Sequence, residues 1–199
     1  MINISNISNK KPYKVFSSYL NDALKKNQKS INAIAISSFN FLSNEVDSRY
    51  VNLKYIVNDE WIFFSNYESS KSKDFKTHDQ ISALLYWNSI DIQIRMKANI
   101  RKTCSRLSDE HFISRSYEKN ALAISSNQST KIKSYNKVKE NYEEILENYT
   151  DDQKRPNYWG GYSFTPFYFE FWEGHKSRLN KRDVYQARGG EWIHSILEP

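Results

Sequence analysis

From Trp159 to Arg182 the chain reads WGGYSFTPFYFEFWEGHKSRLNKR, an aromatic run that passes into a cluster of cations. Tyr162, Phe164, Phe167, Phe169 and Phe171 recur near every second position, which suits a pleated strand. Pro166 interrupts the run and predicts an edge, a bulge or a break there. Beyond Trp172 come Lys176, Arg178, Lys181 and Arg182. A flat anionic ligand would find stacking on the aromatic side and charge pairing on the other. A core strand followed by a solvated basic turn has the same pattern, and the spacing leaves both open.

Other chemistries are disfavoured. His78, His111, His175 and His194 lie far apart, with no HxH, HExxH or Cys/His arrangement, so no metal site is expected. The 5 glycines form neither GxGxxG nor GxxxxGK[ST]. Any phosphate must therefore be held by arginine, lysine and hydroxyl side chains. Cys104 is the single cysteine, which rules out an intrachain disulfide and favours a reducing compartment; it reads as an ordinary small residue rather than a nucleophile. The net charge of +6 and a pI near 9.2 favour an anionic partner. The cations are interspersed with acids, and no helix-turn-helix, zinc-finger or RNP-type pattern is present, so nucleic acid is not the expected one. No stretch nears the roughly 20 apolar residues of a membrane helix, and MINISNISNKK lacks the layout of a secretory signal. A cytoplasmic protein with no membrane partner is expected.

The elements that must position these residues follow from periodicity. Residues 1–12 are polar and expected to be mobile, leaving 13–199 as a single domain. Val15, Phe16, Tyr19, Leu20, Ala23 and Leu24 recur at three and four, predicting an amphipathic helix over 13–29. Strands are expected at 31–38, 50–57 and 61–65, the last two as a hairpin across Asn58-Asp59, then at 81–87 and 91–101. A short basic helix is expected at 70–78, and further helices at 108–114 and 135–149. Residues 116–133 mix a helix-compatible NALAI with a polar loop, and 151–157 reads as a linker or turn. The last strands are expected at 162–172, 183–188 and 192–197, with Gly189-Gly190 as a hairpin turn. Many short strands with a few interspersed helices predict a mainly β, α+β architecture, an antiparallel barrel with helical attachments.

Several stretches, in collinear order, resemble the pyridoxamine 5′-phosphate oxidase family of FMN-dependent flavoproteins. They are SRYVNLK, FFSNYESSKSKDF, ALLYW, IQIRMKA, FISR, NQS, YWGGY, FEFWEG, SRLNKR and the closing EWIHSILEP. The resemblance implies an FMN-binding split β-barrel homodimer with a cofactor site drawing on both chains. Carried over by position, Arg49, Tyr50, Val51, Asn52, Leu53 and Lys54 would line the flavin, with Arg49 near its phosphate. Phe64 and Ser65 match a flavin-contacting strand end, and Lys71 a phosphate-binding lysine. Gln93 would touch the ring, Gln128 and Ser129 would enter from a loop, and Trp172 and Arg182 would complete the site.

The resemblance further implies a substrate pocket of Lys54, His111, Arg115, Lys119, Arg178 and Asn180, the last two as the catalytic pair over the substrate ring. Lys54, Arg115 and Arg178 keep the family's types; His111 stands for a tyrosine, Lys119 for a serine and Asn180 for a histidine. Ser70 replaces an arginine beside the flavin phosphate, a loss on the order of 1.5–3 kcal/mol unless Lys73, one helical turn on, replaces it. The implied activity is oxidation of pyridoxamine or pyridoxine 5′-phosphate by hydride transfer to FMN, with O2 reoxidising the flavin to give H2O2. A divergent oxidase of another planar substrate, such as a dihydrophenazine-type intermediate, is the alternative. A non-catalytic flavin- or vitamer-phosphate-binding protein is the third.

Overall fold

The computed structural model describes residues 2–150 and 152–199. In chain order the elements are β1 (Asn3–Ile7), α1 (Lys11–Lys25), β2 (Ala33–Asn40), β3 (Glu45–Asn58), β4 (Glu60–Asn66), α2 (Ser70–Thr77) and β5 (Gln80–Trp87). They continue with β6 (Ile92–Lys102), α3 (Ser105–Ile113), α4 (Tyr117–Ser125), α5 (Tyr135–Glu147), β7 (Trp159–Glu173), β8 (Lys181–Arg188) and β9 (Glu191–Ile196). The strands pair in the order β1-β3-β2-β5-β6-β7-β8-β9, and β4 bridges β3 and β7. That bridge closes β3, β2, β5, β6, β7 and β4 into a ring, from which β1 and the β8–β9 hairpin extend.

Alternation along each strand sends one row of side chains inward. Ile34, Ile36, Leu53, Phe63, Ala83, Leu85, Ile94, Met96, Phe164 and Phe169 fill the barrel. One end is plugged by α1, whose Tyr13, Phe16, Leu20 and Ala23 recur at helical spacing and are buried. Phe16 meets Trp61 edge-on at 4.5 Å, and Tyr13 meets Phe169 at 5.2 Å. Each such side chain contributes about 1.5–3 kcal/mol of transfer free energy.

Paired residues share a face, so register sorts the candidates. Arg49, Ile36, Ala83, Met96 and Phe169 lie on one inward row; Tyr50, Ala35, Leu84, Arg95 and Glu170 lie on the outward row beside it. Pro166 takes the bulge among its three predicted options: Lys97 pairs with Tyr168 and Ala98 with Pro166, leaving Phe167 as the extra residue. A second irregularity falls between Leu53 and Tyr55, at Lys54. Gly189 and Gly190, at φ 58° and 87°, make the turn of the β8–β9 hairpin, as expected.

Three local expectations differ from the structure. Asn3–Ile7, within the stretch read as mobile, forms β1 and runs parallel to β3 from Tyr55 to Asn58, with Ile2 in the core. The isoleucines at 2, 4 and 7 carry this contact, but the polar residues between them hide it; Met1 lies outside the described residues. β3 begins at Glu45 rather than near 50, because Glu45, Val46, Asp47 and Ser48 are exposed along that arm and show no apolar alternation. α3 begins at Ser105 rather than 108, directly after an exposed Cys104, while α4 takes up the helix-compatible NALAI of the mixed segment as read. Asp151, the first residue of the expected linker, also lies outside the described residues.

Candidate functional site

The first turn of α2 builds an anion cradle against β4. Lys71 is buried and donates to Ser65 Oγ at 2.9 Å and Ser69 Oγ at 3.1 Å. Ser69 and Ser72 both donate to the Asn66 carbonyl, which ties the helix start to the strand end. Arg49 reaches in from β3, donating to Ser38 Oγ at 2.6 Å and pairing with Asp74 at 3.7 Å. Asp74 is itself buried and accepts from Ser38 and Asn40. Burial, and then the Arg49 charge, push the Lys71 ammonium down to about 8, with Asp74 opposing. A buried lysine with hydroxyl partners and a flanking arginine is the donor set of a phosphate site. Ser70 and Lys73 are both exposed on the same helix.

The second cluster is aromatic and cationic. α3 packs on the outward side of β4 and β7, and the pair Gly160-Gly161 lets it approach. A Cβ at Gly160 would run into the Tyr67 hydroxyl and stand 3.0 Å from Ser108 Oγ; that oxygen accepts from the Gly161 amide at 3.0 Å. Thus seated, α3 lays His111 flat on Phe64, with centroids 3.7 Å apart, and Phe64 lies parallel to Trp159 at 5.5 Å. The Arg115 guanidinium stands 4.3 Å over Trp159. Its Nη2 donates to the Lys119 carbonyl at 2.6 Å, while its Nη1 is buried with no protein partner. Burial lowers Arg115 to about 10. Lys54 is also lowered, by burial and then by the charges of Lys119 and Arg115. His111 is pushed down to about 4 by burial and by Arg115 and Lys54, so the ring is neutral at pH 7. Among the described residues no salt bridge joins Lys54, Arg115 or Lys119 to a carboxylate, and like charges so gathered mark a place for an anion.

These clusters meet at a cavity of about 230 Å³ lined by Phe64, Ser65, Arg115, Lys119, Gln128 and Trp159, among others. Gln128 accepts from Ser65 Oγ at 3.4 Å, and Ser129 beside it has φ 72°. One cavity therefore joins residues assigned to cofactor and to substrate.

Other candidates lie elsewhere. Tyr50 and Asn52 are exposed on β3, and Gln93, Trp172 and Arg182 are adjacent in register across β6, β7 and β8. Arg182 donates to Glu170, which is 2% exposed and also binds Arg95 and Tyr168. Arg178, at φ 60°, and Asn180 sit in the β7–β8 turn, where the Asn180 side chain accepts from the His175 amide. Among the described residues no hydrogen bond or salt bridge links that turn to Lys54 or Arg115. Val51 packs against the core and Leu53 is fully buried in it, so β3 offers its main chain rather than these side chains at that point.

Sequence reasoning missed Tyr55, Trp159, Asp74 and Glu170. Tyr55 sits at an irregularity that alternation does not reveal, and Trp159 reads as the start of a core strand. Asp74 and Glu170 look like surface acids in helix and strand; only burial sets them apart.

Residues 159–199 match the pyridoxine 5′-phosphate oxidase C-terminal dimerisation region. The pyridoxine/pyridoxamine 5′-phosphate oxidase of Burkholderia multivorans is 33% identical over 191 residues, covering 94% of this chain and 89% of its own. That of Leptospira biflexa is 30% identical over 189 residues, with the same coverage of 94% and 89%. Among solved structures, PhzG from Burkholderia lata 383, in complex with tetrahydrophenazine-1-carboxylic acid, superimposes with a TM-score of 0.89. It is 23% identical, and the match covers 95% of this chain and 93% of PhzG. A pyridoxamine 5′-phosphate oxidase-related, FMN-binding protein from Nostoc punctiforme gives 0.74 at 13% identity, covering 92% and 97%. The chain belongs to the pyridoxamine 5′-phosphate oxidase family, and its fold is that family's split barrel, mixed α+β and mostly strand.

Proposed function

We propose that the protein is an FMN-dependent oxidase acting as a homodimer on pyridoxamine or pyridoxine 5′-phosphate. The observation that carries this reading is the Lys54–Arg115–Lys119 group, which makes no salt bridge among the described residues, with Arg115 Nη1 buried and unpartnered beside the cavity. Three cations favour a phosphate dianion over a single carboxylate, and two of the donors, Lys54 and Arg115, are already partly desolvated. The cradle of Lys71, Arg49, Ser65 and Ser69 has the donors an FMN phosphate requires, and Gln93 and Gln128 offer amides to the polar ring edges. When bound, FMN supplies hydride acceptance and the reaction with O2 that returns H2O2. The chain's own part is to anchor two phosphates, stack planar rings and hold water out; no side chain is needed as a general base. Exposed Tyr50, Val46 and Tyr86, on the outward face with Gln93 and Trp172, together with the dimerisation-region match, support a second copy covering that face. Arg178 and Asn180 would then serve the partner's substrate. Among the described residues no helix is long and apolar enough to cross a membrane.

Oxygen consumption is the direct test. Peroxide is expected with both phosphorylated vitamers and only weakly with unphosphorylated pyridoxine. No peroxide from either phosphate ester would overturn the assignment. His111, Lys119 and Asn180, which depart from the family's types, favour a second reading: oxidation of a different planar substrate. Reduced tricyclic aromatics in the same assay distinguish it. A bound flavin that substrate does not bleach would leave only a binding protein.

A further inference from the structure

His111 has a partner that the anion-binding groups do not require. Its Nδ1 lies 2.8 Å from the Tyr55 hydroxyl, and the two rings meet edge-on at 5.4 Å and 84°. Tyr55 follows the irregularity at Lys54, and its strand is gripped on both sides, opposite Ile62 of β4 and Asn3 of β1. The imidazole is held on its other side by Phe64, on which it stacks at 3.7 Å. In such a couple the phenol is the better donor and the imidazole nitrogen the better acceptor. The hydroxyl proton is therefore directed to Nδ1, and the ring's own proton resides on Nε2. Among the described residues no hydrogen bond is made by Nε2.

We propose that Tyr55 is a positioning residue that fixes His111 as the Nε2–H tautomer, and that this neutral donor reads the substrate's anionic end beside Arg115. The proposal rests on the reading of Lys54, Arg115 and Lys119 as the seat of that anion. A neutral donor suits the place. A fourth cation among three would be repelled, whereas one oriented N–H adds a directional bond without added charge. His111 thereby becomes a specificity-determining residue, and its identity is matched to Tyr55 on a different strand.

The test uses the full chain saturated with FMN, so that the cradle is filled, and inorganic phosphate as the probe. Nitrogen-resolved imidazole NMR should show His111 protonated at Nε2, with that resonance shifting as phosphate is added. Tyr55→Phe should move proton occupancy toward Nδ1 and weaken phosphate about tenfold, the loss of roughly one hydrogen bond, with FMN content unchanged. His111→Gln, which keeps an amide donor, should stay within about threefold, while His111→Phe should match Tyr55→Phe. The histidine pair decides the matter if Tyr55→Phe does not fold. An Nδ1–H tautomer in the unaltered protein, or equal phosphate affinity in all variants, would overturn the proposal. Failure of the oxidase assignment reads differently: tautomer and phosphate responses would persist while neither vitamer gave peroxide.

Discussion

Lys71 is the side chain whose environment most directly sets a measurable pH dependence. Its free-state value near 8 lies below the ordinary 10.5, so burial disfavours the ammonium in the folded protein. Two consequences have opposite signs. Fold stability should rise as pH goes from about 8 toward 10.5, where the unfolded chain holds the proton and the folded one does not. FMN affinity should be flat from about 7 to 8, below which the phosphate itself begins to protonate, and should fall above about 8 by up to about tenfold per pH unit, because binding must then recharge the lysine. Equilibrium flavin titration checks this; riboflavin, which lacks the phosphate, should show no such slope, nor should Lys71→Met with FMN. Arg115→Ala should raise the substrate's KM by roughly 10–150-fold, the 1.5–3 kcal/mol of a charged hydrogen bond, with flavin content intact. Steady-state kinetics beside an absorbance ratio read both, and flavin loss would place Arg115 in the wrong half of the site. Residue types were legible at this level: lysine, arginine and glutamine imply anion and amide recognition without coordinates. Partners were not. That Arg182 is engaged by a buried Glu170, or that Leu53 is spent in the core, depends on which face a strand turns inward, and a one-residue irregularity inverts that.

The strands and helices were largely readable, since alternation and the three-four spacing report which side faces the core. The errors fall where that signal is missing: the polar arm of β3, the short β1, and the start of α3. What positions His111 is the closeness of α3 to β7, and it depends on Gly160 and Gly161 more than on any apolar pattern. Gly160→Ala would force the Tyr67 hydroxyl aside and press on Ser108. It should destabilise the fold by about 1–3 kcal/mol, lowering the thermal midpoint. It should also raise the substrate's KM, because the same shift displaces His111 and Arg115. A variant that lost stability with unchanged KM would show that α3 holds its seat by other contacts.

At the level of the assembled protein, one chain contains the phosphate cradle and the cationic pocket but leaves Gln93, Trp172 and the β7–β8 turn facing outward. Flavin affinity should therefore track self-association. Val46→Asp, on the exposed outward face, should shift sedimentation toward the monomer and release flavin in proportion; a monomer that stayed yellow would contradict the shared site. No single-chain pattern announces which residues meet across a pair, and Arg178 and Asn180 enter as candidates only through family resemblance. The exposed Cys104, ahead of the helix that carries His111, makes the question answerable by spectroscopy. As the sole thiol in the sequence, it accepts one nitroxide per chain. A pulsed dipolar experiment would then return one spin–spin distance if two copies are joined about a two-fold axis, and a featureless decay if they are not.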